Sequence, residues 1–179
     1  MRRSPHVFAM CTLVCLLCTV GGADAQVPYV QVYFDSNLHQ TSRNCTENGV
    51  YDTLYVVAHN MNSEISSIEY KIHYTEWAPF VQDILPPTAT SVGNSMDGIR
   101  ISYSAPFPVF SPAIVQRTLI GWDCNELCPA FDFVLSVLPH PESGKVLARR
   151  WSDDSEIDAI GMASSLCAVL ETEERTWGR

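Results

Sequence analysis

The chain has 179 residues, of which 46% are hydrophobic and 17% are charged, and its 20 acidic and 11 basic residues give a net charge of −9. This surplus of negative charge repels the phosphates of nucleic acids and anionic membrane surfaces, so neither is expected as a partner. The length beyond residue 25 suits one domain with a single hydrophobic core.

The amino-terminal 25 residues follow the order of a secretory signal peptide. Arg2 and Arg3 precede an apolar run over residues 7–20, and Ala23-Asp24-Ala25 follows as a small-residue cleavage site. The run is about fourteen residues long, whereas a membrane-spanning helix needs about twenty. The sequence therefore predicts cleavage after residue 25. The mature chain is expected to be secreted, or held in the periplasm or at the cell surface, without stable membrane insertion.

Apolar and polar residues alternate in short runs after residue 26, which is the pattern of half-buried β-strands. Ile68, Tyr70 and Ile72 share one predicted face, while Glu69 and Lys71 share the other. About eight strands are predicted in this way. They cover residues 30–34, 54–59, 68–74, 99–103, 113–121, 131–138, 145–151 and 157–163.

Turn-forming residues separate these predicted strands. They include Asn48-Gly49, Pro86-Pro87, Asp97-Gly98, the prolines at 106, 108, 112, 139 and 141, and Ser143-Gly144. There is no long helical period, and helix is limited to a short turn over residues 123–127. The fold prediction is all-β, an immunoglobulin-like antiparallel β-sandwich over residues 26–170, followed by a charged tail over residues 171–179 that frays.

Four cysteines remain after the predicted signal peptide is removed: Cys45, Cys124, Cys128 and Cys167. An even number in an oxidising compartment predicts two disulfides. Three connectivities are open. One is a local Cys124–Cys128 bridge with Cys45–Cys167, and the other two join this close pair to the distant cysteines, which constrains the unfolded chain most. A zinc site is disfavoured because the distant cysteines have no second ligand nearby.

Short motifs along most of the mature chain resemble a group of small secreted bacterial proteins without an assigned activity. The motifs are Val32-Tyr33-Phe34-Asp35, residues 54–58, Glu69-Tyr70-Lys71-Ile72, Gly98-Ile99-Arg100-Ile101, residues 137–141, Ser143-Gly144 and the closing Cys167. The resemblance implies an immunoglobulin-like or cohesin-like β-sandwich, and it transfers no catalytic residue. This chain has Ala105-Pro106-Phe107 where the group would have a further cysteine, so no disulfide pairing is transferred either.

Aromatic residues are the candidate ligand-binding groups. Trp77, Trp122 and Trp151 lie at predicted strand ends or in loops, where exposed rings could stack on sugars or anchor a protein partner. The alternative is that these rings fill the core of the sandwich.

Asp153, Asp154, Glu156 and Asp158 form an acidic cluster, and carboxylate oxygens are the ligands that Ca²⁺ prefers. The cluster lacks the alternating ligands and central glycine of an EF-hand loop, so these residues are weak calcium candidates, and a solvated acidic turn is the stronger interpretation.

No catalytic residue and no cofactor is predicted, because no serine lies in a glycine-flanked nucleophile turn and the histidines are scattered. The predicted function is a secreted, non-enzymatic structural or protein-interaction module that binds an extracellular protein. A carbohydrate-binding module that recognises polysaccharide is the first alternative, and an extracellular hydrolase is a weaker one.

Overall fold

The computed structural model describes residues 26–43, 49–76, 78–122 and 134–165. Within these residues the chain is all-β, which confirms the predicted fold class, and it contains eleven strands. The strands are β1 (Tyr29–Tyr33), β2 (Tyr51–His59), β3 (Ser63–His73), β4 (Phe80–Ile84), β5 (Ala89–Asn94), β6 (Gly98–Val109), β7 (Ala113–Gly121), β8 (Val134–Leu138), β9 (Val146–Arg150), β10 (Glu156–Gly161) and β11 (Ala163–Ser165). The described part of the chain has no helix long and apolar enough to cross a membrane.

The strands form two layers of a sandwich. The front layer has the order β4-β7-β2-β1. The back layer has the order β5-β6-β3, with β9 beside the first part of β3 and β8 beside its last part. Strand β10 joins the layers, because residues 156–159 pair with β9 and residues 160–161 pair with β1. The sandwich is therefore closed on the β10 side and open on the other, where β4 and β5 are the edge strands.

The core lies between the two layers and follows the predicted alternation. Ile68, Tyr70 and Ile72 of β3 have no exposed surface, and neither have Ile99 and Ile101 of β6. Burying such side chains is the main favourable term in folding. Further members of the core include Val30, Val32, Phe34, Leu54, Val56, Ile65, Val115, Ile120, Trp122, Leu135, Val146 and Ala148.

Three strands lie outside the eight that the sequence predicts, namely β4, β5 and β11. Strand β5 consists mostly of exposed side chains, so it shows no apolar alternation. Strand β4 directs Asp83 toward buried partners, and β11 has three residues. Each owes its strand conformation to backbone pairing with a neighbour, which a pattern of hydrophobicity does not report.

The structure also corrects the expected positions of turns and the strand directions. Pro106 and Pro108 are predicted as turn residues, but both lie within β6. Along β3, Ile65 pairs with Phe107 of β6, but Ser67 pairs with Ser102, so the register of this pair of strands is irregular. Pro106 lies in the irregular part of β6, which accommodates a residue that has no backbone N–H to donate. The sandwich is not wholly antiparallel, because β1 and β10 pair in parallel.

Several predictions concern residues outside the described ranges. They are the signal peptide over residues 1–25, the helical turn over residues 123–127, the bridges of Cys45, Cys124, Cys128 and Cys167, the aromatic candidate Trp77, and the tail over residues 171–179.

Candidate interaction surface

The outward side chains of β5, β6, β3 and β9 form a single surface, which we call the outer face. The strand registers place Thr90 beside Ser102, Ser102 beside Ser67, and Ser67 beside Arg149. The next row consists of Val92, Arg100, Glu69 and Leu147. Since side chains alternate across a strand, these eight residues point away from the core, although Glu69 and Leu147 are only 4% and 3% exposed. The outer face therefore combines hydroxyl, charged and aliphatic groups.

An ion pair anchors the middle of the outer face. Glu69 is only 4% exposed, and its Oε1 accepts a 2.7 Å hydrogen bond from Nε of Arg100. Burial by itself raises the pKa of Glu69, but the hydrogen bond and charge of Arg100, together with smaller contributions from Ser143 and His140, outweigh it and hold the pKa below the ordinary value. Glu69 is therefore ionised at neutral pH, and it fixes the guanidinium of Arg100 at the surface.

The apolar contribution to the outer face comes from Val92, which is 73% exposed. This is the highest exposure of any large hydrophobic residue that the structure describes. A side chain of this size gains about 1.5–3 kcal/mol when it is fully buried against a partner.

A charged rim borders the outer face along β9 and β10. Lys145 Nζ lies 3.5 Å from Glu156 Oε2 and 3.0 Å from Asp158 Oδ1. Arg149 Nη2 lies 3.1 Å from Glu156 Oε1, and Arg149 Nη1 lies 3.5 Å from Asp154 Oδ2. Such exposed pairs contribute about 0–1 kcal/mol each to stability. Their charges are accordingly available to steer a partner.

These acidic residues include the weak calcium candidates. Asp153 is engaged differently from the other three, because its Oδ1 accepts hydrogen bonds from the N–H and the hydroxyl of Ser155. Each candidate carboxylate thus has a basic side chain or a turn as its partner. In the described ranges no group of three or more His, Cys, Asp or Glu side chains is placed to hold a metal ion.

The structure separates two of the candidate tryptophans. Trp122 is 7% exposed and belongs to the core, so its ring cannot stack on a ligand. Trp151 is 40% exposed at the end of β9, where its backbone N–H donates to the backbone carbonyl of Glu64 on β3. Phe110, which is 64% exposed, lies just beyond the β6 residue that pairs with the start of β3. The backbones of these two residues therefore flank the same end of β3, about 10 Å apart across the strands.

A notch opens where the turn between β5 and β6 meets the loop between β8 and β9. Its volume is about 170 Å³, and its lining includes Arg100, His140 and Glu142. Gly98 has φ +129°, and a Cβ atom there would lie 2.5 Å from Cδ of Pro141, so only glycine allows this close approach. The notch is smaller than the roughly 300 Å³ at which ligand pockets begin, and it extends the outer face.

A polar cluster that the sequence does not predict joins the two layers at the open side of the sandwich. Asp83 on β4 accepts hydrogen bonds from the N–H of Ser95 at 2.7 Å, from the Ser95 hydroxyl at 2.6 Å, from Nε2 of Gln116 and from the Thr118 hydroxyl at 3.1 Å. Ser95 lies in the turn between β5 and β6 of the back layer, whereas Gln116 and Thr118 lie on β7 of the front layer. Asp83 therefore clamps the open side.

Two tyrosines extend this clamp into the core. The Tyr70 hydroxyl donates to Oε1 of Gln116 at 2.7 Å, and the Tyr74 hydroxyl lies 2.6 Å from Oγ of Ser95. Burial raises the pKa of both phenols, so both remain protonated and can donate. The cluster is arranged to hold the layers together, and its donors are used internally.

Aromatic side chains on the outward side of the front layer stack on and hydrogen-bond to one another. The rings of Tyr29 and His59 are parallel, with centroids 4.2 Å apart, and the Tyr33 hydroxyl lies 3.2 Å from Nε2 of His59. Tyr33 pairs with Tyr55 in the strand register, so its ring must extend past Val57 to reach His59. Val57 accordingly has no exposed surface, and burial lowers the pKa of His59.

Comparison with known proteins adds information at the level of the fold. No family model matches this chain, and no curated protein matches it. Solved cohesin modules do share its architecture. The third ScaB cohesin of R. flavefaciens, solved in complex with a group 1 dockerin, has a TM-score of 0.51 at 14% identity, covering 76% of this chain and 92% of the cohesin.

Two further cohesin structures come from other organisms. The cohesin module of a Clostridium perfringens family 33 glycoside hydrolase has a TM-score of 0.55 at 11% identity, covering 78% of this chain and 95% of that module. A non-cellulosomal cohesin from the archaeon Archaeoglobus fulgidus has a TM-score of 0.52 at 7% identity, covering 79% and 92%. Identities this low establish the fold alone. The chain is a cohesin-like β-sandwich, which confirms that part of the resemblance seen in the sequence.

Proposed function

We propose that this chain is a secreted, non-enzymatic protein-interaction module that binds its partner through the outer face. The likeness to cohesins supports the general class, because the ScaB cohesin and other cohesins of similar fold were solved in complex with dockerins. The observation that carries the proposal is the composition of the outer face, where exposed Val92 lies next to a row of hydroxyl groups at one side and a rim of opposite charges borders the other side.

The hydroxyl row supplies hydrogen-bonding capacity for a partner. In the described part of the chain, no side-chain hydrogen bond uses the hydroxyls of Thr90, Ser102 or Ser67. Hydrogen bonds between neutral groups typically contribute about 0.5–1.5 kcal/mol each. The outward side of the front layer is less suited, because Tyr33 and His59 bond to one another and shield Val57.

Secretion is proposed from residues 1–25 and agrees with an extracellular partner. The test is mass spectrometry of the exported protein. A mature amino terminus at Gln26 is expected, whereas retention of residues 1–25 in the final product would contradict the proposal.

The interaction is tested with a matched pair of substitutions. Ser102→Arg places a long charged side chain in the middle of the outer face, and Gln82→Arg places the same side chain on exposed β4 of the front layer. Residues 26–179 are immobilised and used to capture binding proteins from the culture supernatant. Each captured protein is then produced separately, and its binding to the wild type and to both variants is measured by calorimetry. We expect Ser102→Arg to weaken binding at least tenfold, equivalent to about 1.4 kcal/mol, and Gln82→Arg to leave it unchanged. Equal effects of the two variants, or none, would refute the outer face as the binding site.

A carbohydrate site is the second candidate, and the exposed rings of Trp151 and Phe110 support it. If these rings stack on a polysaccharide, tryptophan fluorescence will change on titration with that glycan, and Trp151→Ala will abolish the change. Phe110→Ala should then weaken binding without removing the signal. No response across a panel of plant and bacterial polysaccharides would exclude this candidate and leave the protein partner.

A further inference from the structure

Strand β5 is an open edge of the back layer. It pairs only with β6 among the strands that the structure describes, and residues 90–93 are all exposed. The N–H of Ser104 donates to the carbonyl of Thr88, so the residue pairs Thr90–Ser102 and Val92–Arg100, which follow in the same register, also exchange backbone hydrogen bonds. Ser91 lies between these two pairs, so its N–H and C=O point toward the free edge.

The other edge strands are protected in ways that β5 is not. Strand β4 is preceded directly by Pro79, it carries the charged Asp83, and its register shifts between Phe80 and Gln82. Strand β11 has three residues. Natural proteins use prolines, irregularities, charged residues and short strands to prevent edge pairing. Residues 89–92 contain no charged residue and no proline, although the chain carries a net charge of −9.

The exposed edge is complementary to itself. If two copies of β5 lie antiparallel with Ser91 opposite Ser91, each Ser91 N–H donates to the other Ser91 carbonyl. In the same register Val92 of one copy lies beside Thr90 of the other on the outward side of the sheet. Two β-branched side chains in such a pair stabilise a sheet, and this contact covers the side of exposed Val92 that faces the free edge, while its outward surface stays on the outer face.

We propose that this chain associates with a second copy of itself through antiparallel pairing of β5 with β5, centred on Ser91. The pairing joins two back layers into one continuous sheet whose outer faces lie on the same side. The dimer thus presents two outer faces in one plane. The contact is short, about 20 Å along each strand, and below the size of a standard interface. The dimer is therefore weak, with a Kd of about 0.1–1 mM.

Sedimentation equilibrium of residues 26–179 tests the proposal. We expect the average mass to rise toward that of a dimer between about 0.05 and 1 mM, in samples free of intermolecular disulfides by non-reducing electrophoresis. Added salt should strengthen association, because it screens repulsion between two acidic chains. Ser91→Pro removes the outward N–H and leaves the β6 pairing intact, so it should remain monomeric. Ser91→Ala keeps the N–H and should behave as the wild type.

Val92→Lys gives an independent check that does not alter the backbone, because it places a charge beside Thr90 of the second copy, and it should also be monomeric. A wild type that stays monomeric up to 1 mM would overturn the proposal. So would dimers of Ser91→Pro and Val92→Lys as strong as those of the wild type, since the contact would then lie elsewhere. If wild type remains monomeric but binds an unrelated extended peptide through β5, the edge recruits a different partner and the homodimer is rejected.

Discussion

Removing the carboxylate of Asp83 should destabilise the whole sandwich, because this group joins the two layers where no strand does. Asp83→Ala leaves four hydrogen-bond donors without their acceptor. The donors belong to Ser95, Gln116 and Thr118, none of which has exposed surface. Water cannot simply take the place of the lost acceptor, since the donors are buried away from it.

The size of the effect follows from these contacts. A hydrogen bond to a charged acceptor contributes about 1.5–3 kcal/mol, and the four bonds are not additive because they share one carboxylate. Removing the carboxylate also removes the cost of taking it partly out of water. We therefore expect a loss of about 3–4 kcal/mol in the free energy of unfolding, a large fraction of the roughly 5–15 kcal/mol of a typical domain.

Urea unfolding followed by far-ultraviolet circular dichroism measures this loss. Asp97→Ala is the matched control, because Asp97 is exposed in the adjacent turn and, among the residues that the structure describes, hydrogen-bonds only to Asn94. This variant should change stability by less than about 1 kcal/mol. Asp83→Asn keeps the shape of the side chain and should fall between the two. A loss below about 1 kcal/mol for Asp83→Ala would show that the clamp does not join the layers energetically.

Three further outcomes test other parts of the structure. Gly161→Ala should lower the free energy of unfolding by about 3 kcal/mol or more, because its Cβ would lie 1.9 Å from a backbone carbonyl oxygen. Gly144→Ala is the control, because Gly144 has φ +68° and lies in open space, and it should cost about 1 kcal/mol. Equal losses for the two variants would contradict this account. Since burial holds the pKa of His59 below its ordinary 6.5, stability should be full above pH 6.5 and fall as the unfolded chain takes up a proton below it. His59→Phe should reduce that fall, and an unchanged pH profile would argue against it. Trp122→Ala should cost about 3–5 kcal/mol in urea unfolding, whereas Trp151→Ala should cost less than about 1 kcal/mol; similar losses would mean that the two rings are equally buried.

The best predicted parts of the fold are those governed by local spacing. Ile68, Tyr70 and Ile72 are correctly placed in the core, because a period of two describes one side of any strand wherever it lies in the sheet. Strand β5 is missed for the converse reason: its side chains are exposed on both sides, and its conformation depends on pairing with β6.

The candidate site was less predictable from the sequence than the fold. Trp122 and Trp151 both lie near strand ends, and only the packing of the layers made one a core residue and left the other exposed. Likewise, Asp83 meets Ser95, Gln116 and Thr118 from 12, 33 and 35 residues away. No periodic pattern contains such contacts, since they depend on which strands become neighbours.

The sequence by itself determined the all-β class, the core faces of the longer strands and the acidic character of the surface. These follow from the alternation and composition of each segment, which act over a few residues. The tertiary structure decided the parallel pairing of β1 with β10, the Asp83 clamp and the side chains that share the outer face. The physical reason is that strand neighbours and register are fixed by the free energy of packing both layers together, which no single segment contains.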